Sequence, residues 1–161
     1  MRALVLVVPV ILLLASCASD DPGVEGGLAP DRGFSLEVPD GWREVEADGQ
    51  SVQLAATGSG DEQLLAGGWD DPDAARIRAT EVAVDLGGID DLTCRPLVGF
   101  ADVDPGAIDC RDRTRRPWMH KMLVPLRTDG RSVLLLVQVE ADTSAEAAAI
   151  VEPVVRSFRW R

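Results

Sequence analysis

Val133-Leu134-Leu135-Leu136-Val137 is an unbroken run of large apolar residues. Successive side chains of a strand point to opposite faces, so a strand packed on one side alternates apolar with polar residues. An unbroken run needs cover on both sides, which places this strand centrally in a sheet with a layer on each face. Two segments can form those layers. After Asp71, a possible cap, Pro72 fits a first helical position and Gly87 an end. Ala75, Ala79, Val82, Ala83 and Leu86 then share one helical stripe, with Ile77 and Val84 on roughly the opposite side. The second segment opens on Thr143 with Glu146, the pattern of a capping box. Its apolar face carries Ala147, Ile150, Val151, Val154 and Phe158. Pro153 lies inside it and predicts a kink or interruption, because Ala149's carbonyl loses its donor.

The remaining pattern is of strands. Phe34 to Val38 alternates strictly, and Val38-Pro39-Asp40-Gly41 then reads as a type I turn that returns Trp42 to the core. Ser51 to Thr57 and Gln63 to Trp69 flank the turn residues Gly58-Ser59-Gly60-Asp61 and predict a hairpin. Thr93 to Val98 and Ala107 to Thr114 are further strands, carrying Cys94 and Cys110 on neighbours. Trp118 to Arg127 and Ser132 to Ala141 flank Asp129-Gly130, a pair that tolerates the positive φ of tight hairpin turns. Pro125 cannot donate to a ladder, so its strand should be an edge or bulged there. The expected class is α+β: a mostly antiparallel sheet between two helices.

The first residues carry an address. Met1-Arg2 is followed by an apolar run from Ala3 to Leu14, too short for a permanent span and interrupted by Pro9. It ends in Leu14-Ala15-Ser16-Cys17, which resembles the bacterial lipoprotein signal. That resemblance implies cleavage before Cys17 and a diacylglyceryl thioether on its sulfur, holding the protein on the extracytoplasmic face of the cell membrane. The alternative is an ordinary cleaved signal with a chance cysteine. The organisation expected is a signal peptide over residues 1–16, a lipidated acidic tether over 17–32 and one domain over 33–161. The tether, rich in Gly, Pro and Asp with Val24 and Leu28 its large apolar residues, has too little surface to bury to offset its ordering entropy. With Cys17 committed to lipid, Cys94 and Cys110 remain as a pair. A bridge between them would persist outside the reducing cytoplasm and contribute about 3 kcal/mol by restricting the unfolded chain. Two buried free thiols are the alternative.

The opening Gly33-Phe34-Ser35-Leu36-Glu37-Val38-Pro39-Asp40-Gly41-Trp42 resembles the PsbP-like fold. So does the order of elements: strands, a helix, a long hairpin and a closing helix that runs into Ser157-Phe158-Arg159-Trp160. Small actinobacterial cell-envelope lipoproteins with such a lipobox, acidic tether and domain look alike over most of the chain. The resemblance implies a non-enzymatic binding or assembly role, and it carries over no catalytic residue and no cofactor.

A formal charge of −11 argues against nucleic acid, since binding phosphate backbones needs a basic surface. Against that charge, Arg111, Arg113, Arg115 and Arg116 form a basic cluster, with Arg111 and Arg113 expected on one strand face and Asp109 and Asp112 close by. One reading is a solvated hairpin surface. The functional one is a site for an anionic envelope glycan or lipid headgroup, where the guanidinium fork binds well. Ile77 and Val84 are either covered by a loop or form a small patch for an envelope protein. Met119-His120-Lys121-Met122 gathers soft ligands of the copper(I) type, but alternation sends the methionines to opposite faces and predicts core packing with His120 at an edge. Asp70-Asp71-Pro72-Asp73 and Asp102-Val103-Asp104-Pro105-Gly106 lack the spaced oxygens and distal Glu of a calcium loop. Gly58-Ser59-Gly60 is too short to cradle phosphate, and a lone histidine without an evident partner does not make a triad. The function expected is a membrane-anchored binding or scaffolding module; the alternative is an envelope hydrolase that uses a pair of acidic residues.

Overall fold

The computed structural model describes residues 33–47, 52–101, 106–114 and 116–161. Seven strands form one antiparallel sheet: β2 (Arg43–Val45), β3 (Leu54–Thr57), β4 (Gln63–Trp69), β5 (Leu92–Pro96), β6 (Ile108–Asp112), β7 (Trp118–Thr128) and β8 (Arg131–Ala141). Their spatial order is β2-β3-β4-β8-β7-β6-β5, so β8 is the middle strand. Val133 to Val137 are all buried there, as an unbroken apolar run requires. β7 and β8 pair from Trp118↔Ala141 to Thr128↔Arg131 around Asp129-Gly130. Beyond Leu123, which pairs with Ile108, β7 has outrun β6 and is an edge, and Pro125 sits in that stretch where its missing N–H does no harm.

Helix α1 (Ala74–Gly87) covers one face and helix α2 (Ser144–Ser157) the other. The α1 side buries Ala75, Ala79, Val82 and Leu86 against Leu65, Leu123, Leu134 and Leu136. On the α2 side Ala147, Val151 and Val154 meet Leu64, Met122, Leu135 and Val137. This two-sided burial is why the sheet can be apolar on both faces.

The helix ends differ in how closely they follow the pattern. Thr143 caps α2 in a reciprocal box: Glu146 N–H donates to Thr143 Oγ1 at 3.2 Å, and Thr143 N–H donates to Glu146 Oε2 at 3.1 Å. The expected break at Pro153 does not occur; α2 runs through it to Ser157, and Pro153 is on the exposed side. Ile150, expected inward, is 37% exposed, and Val155 is buried instead. At α1 the N-cap is Asp73, not Asp71; Asp71 Oδ1 accepts from Asp73 N–H at 2.8 Å one step earlier, and Pro72 lies outside the helix.

Two other segments depart from their sequence pattern. The strand expected over Phe34–Val38 is β1 (Phe34–Ser35) alone, and it pairs outside the main sheet with β9 (Arg159–Trp160). Phe34 is locked by stacking on Phe158, whose ring meets Trp160 edge-on, while Leu36 and Val38 pack half-buried without a ladder partner. The turn that follows is shifted by one residue: Trp42 N–H donates to Pro39 O at 3.1 Å, and Gly41 has φ +81°. A positive φ at the third position is the type II arrangement, not type I. It still delivers Trp42 to the core.

Candidate functional site

Cys94 and Cys110 stand directly opposite each other on β5 and β6 and are joined as a disulfide. They lie on the α1 side of the sheet. Alternation therefore turns their neighbours Thr93, Arg95, Asp109 and Arg111 to the α2 side. The register carries this face across three strands: Arg95↔Asp109↔Met122 and Thr93↔Arg111↔His120.

Asp109 and His120 form the polar centre of that face. His120 is fully buried and Asp109 is 5% exposed. His120 Nδ1 lies 3.0 Å from each carboxylate oxygen of Asp109. Ser144, the first residue of α2, donates its hydroxyl to Asp109 Oδ2 at 2.7 Å. The carboxylate thus sits at the positive end of a 14-residue helix as well as beside an imidazole. His120 is not at an edge, as its sequence surroundings suggested; the residue between Met119 and Met122 is tied to a partner eleven positions away, and all three side chains are core.

The chemistry of this trio is limited by its order. A nucleophilic serine needs the imidazole between hydroxyl and carboxylate, so that a ring nitrogen can take the hydroxyl proton. Here the carboxylate lies between, and Ser144 donates to Asp109 directly. His120 Nε2 is buried with no hydrogen-bond partner among the described residues.

Next to the trio is a pocket of about 180 Å³ lined by Thr93, Arg95, Pro96, Leu97, Asp109, Arg111 and Ser144. Arg95 is exposed, and among the described residues neither it nor Arg111 is ion-paired. The Arg111 guanidinium lies over the Trp118 ring, 4.2 Å from its centre, and Arg116 approaches the same ring at 4.8 Å. Both distances suit a cation–π contact, which leaves the N–H fork of each guanidinium open at its rim.

The arginines of the sequence cluster are therefore divided. Arg111 lines the pocket and Arg116 flanks Trp118. Arg113 lies beyond the end of β6, exposed, with its N–H bonded to Asp91 O, so it does not share a strand face with Arg111. Asp112 faces away and accepts from Thr114 N–H, and Asp109 is committed to His120 and Ser144. Arg115, the expected lipid-attachment residue Cys17 and Asp102 to Pro105 lie outside the described residues. Arg95 was missed because its only link to Arg111 is the β5–β6 register. Cys94 and Cys110 were the available signal: a bridge between strand neighbours sets Arg95 opposite Asp109.

Elsewhere, Lys121 lies on the α1 side, where burial holds its ammonium below the usual lysine range, partly offset by Asp112. No loop among the described residues covers Val84, which is 70% exposed; with Ile77 it borders a shallow groove along α1. Gly58 to Asp61 form the β3–β4 turn, closed by Gly58 N–H to Glu62 O, and Asp70 to Asp73 lead into α1. Among the described residues no group of three or more His, Cys, Asp or Glu is placed to hold a metal ion, and no helix is long and apolar enough to cross a membrane.

No family model and no curated protein matches the chain. Among solved structures it is similar to a protein of Bacteroides thetaiotaomicron, with a TM-score of 0.52 and 15% identity over 86% of this chain and 49% of that one. It thus spans about half the length of that protein. It is also similar to cyanobacterial PsbP (CyanoP) from Synechocystis, with a TM-score of 0.55 and 16% identity over 89% of this chain and 99% of that one. At such identities the likeness is one of fold, and the large antiparallel sheet and two helices of the described residues make an α+β fold of the PsbP-like kind.

Proposed function

We propose that this protein is an extracytoplasmic lipoprotein of the cell envelope whose domain is a non-catalytic binding module. A diacylglyceryl group on Cys17 anchors it to the membrane, and residues 17–32 hold the domain away from the headgroups. Anionic envelope components are its ligand class. The observation that carries the binding reading is the contrast within one site: Asp109 is held in place by His120 and Ser144, while Arg95 and Arg111 beside it lack ion-pair partners among the described residues. A hydrolase with two carboxylates would place a second acid in the cleft. Among the described residues Asp109 is the one acidic residue that lines this pocket. The disulfide supports an oxidising compartment.

Detergent-phase partitioning tests the anchor. The unaltered protein should enter the detergent phase and carry the mass of a diacylglyceryl group on Cys17, and Cys17→Ser should remain aqueous. A Cys17→Ser protein that still fractionates with membranes refutes the anchoring.

A further inference from the structure

The size and lining of the pocket narrow its ligand. About 180 Å³ is room for roughly six waters. Pockets for drug-sized ligands begin at about 300 Å³, so the group seated inside this one is the size of a headgroup ion. Arg95 and Arg111 supply forked N–H donors suited to a tetrahedral or planar oxyanion. Thr93 adds a hydroxyl to the lining. Asp109 contributes the opposite demand. An ionised carboxylate only accepts, and it has about four lone-pair positions, of which His120 and Ser144 do not use all. A ligand that meets both guanidiniums and this carboxylate must carry negative oxygens and an acidic O–H together.

We propose that the pocket between Arg95 and Arg111 binds a phosphate group that still carries a proton, as hydrogen phosphate or as a singly protonated phosphate monoester. Its unprotonated oxygens accept from the guanidiniums, and its P–O–H donates to Asp109. Sulfate has the same shape but no proton near neutrality, so Asp109 repels it. The assignment rests on the binding-module reading and gives that module its ligand chemistry.

Titration calorimetry on the full chain, purified from membranes in detergent at pH 6, tests it with inorganic phosphate, glycerol 3-phosphate and sulfate. That pH is near the second pKa of a phosphate monoester, about 6, so both phosphate probes retain a protonated fraction. Phosphate or its ester should bind at least tenfold tighter than sulfate. Tighter binding of the ester identifies a headgroup source; binding of phosphate with exclusion of the ester identifies free phosphate. Arg95→Gln and Arg111→Gln should each weaken binding about tenfold, while Arg113→Gln, beyond the strand, should leave it unchanged. Sulfate bound as well as phosphate, no binding of any probe, or loss with Arg113→Gln alone overturns the proposal. Failure to bind phosphate by a chain that still partitions through Cys17 sinks this assignment only; phosphate binding by a chain without lipid sinks the anchor and leaves the pocket.

Discussion

Replacing Asp109 tests whether the polar centre of the α2 face is a coupled unit. In Asp109→Leu, His120 keeps its fully buried position but loses the acceptor 3.0 Å from Nδ1, and its Nε2 already has no partner. Leaving a fully buried imidazole with neither ring nitrogen partnered costs about 3 kcal/mol. His120→Leu leaves the carboxylate with Ser144 alone, for a loss of about 2 kcal/mol. In the double variant no imidazole or carboxylate remains to be stranded. Its cost is then the volume mismatch of two leucines plus one orphaned serine hydroxyl that can turn to water, about 2 kcal/mol together. The cycle should therefore show a coupling of about 3 kcal/mol, with the double variant more stable than Asp109→Leu alone. Urea unfolding at pH 7, read by tryptophan fluorescence with a common slope, measures all four proteins. A double variant that loses the full sum of the single losses would refute the reasoning, for the two side chains would then act independently.

Removing the bridge with Cys94→Ala and Cys110→Ala should lower stability by about 3 kcal/mol, seen as a lower urea midpoint that reductant no longer shifts. Lys121→Met should stabilise the protein at pH 7, because the fold depresses the lysine's pKa by burial and so disfavours its charged form. That gain should shrink as pH rises from the folded-state pKa toward the unfolded value of about 10.4, where neither state carries the charge; a gain independent of pH contradicts the burial argument. Thr143→Ala should cost about 1 kcal/mol and fray the start of α2, read by amide exchange at Glu146 and by weakened protection of Ser144.

What could be read from the chain in advance was what local chemistry decides. Val133 to Val137 announced the middle strand because the need for two-sided cover follows from composition alone. Thr143 with Glu146 announced a helix start because both halves of the box lie within one turn. Pro125 was placed at an edge by its missing donor. Pro153 misled because it was judged by the bond it removes, whereas packing of Val151, Val154 and Val155 keeps the helix together around it. The strand at Phe34 ended early because its partner, β9, offers two residues at the far end of the chain. The site was hidden for the same reason: Arg95, Asp109, His120 and Ser144 come from four elements, and only the strand register and the seating of α2 bring them together. Patterning says that His120 belongs to a strand, but not which carboxylate waits across the diagonal.

The β1–β9 clasp has a mechanical consequence. Phe34 pairs with Trp160, and Arg161 N–H donates to Gly33 O at 2.9 Å, so the domain's entrance and exit emerge at one corner. A pull on the polypeptide ahead of Gly33 would load this two-residue ladder first, and its few bonds would yield while the seven-stranded sheet stayed shut. Slack of several residues would then be paid out before the body felt the strain. Shortening the carboxyl end by three residues should abolish that give, an effect optical tweezers would register as loss of the earliest, smallest step in the extension trace.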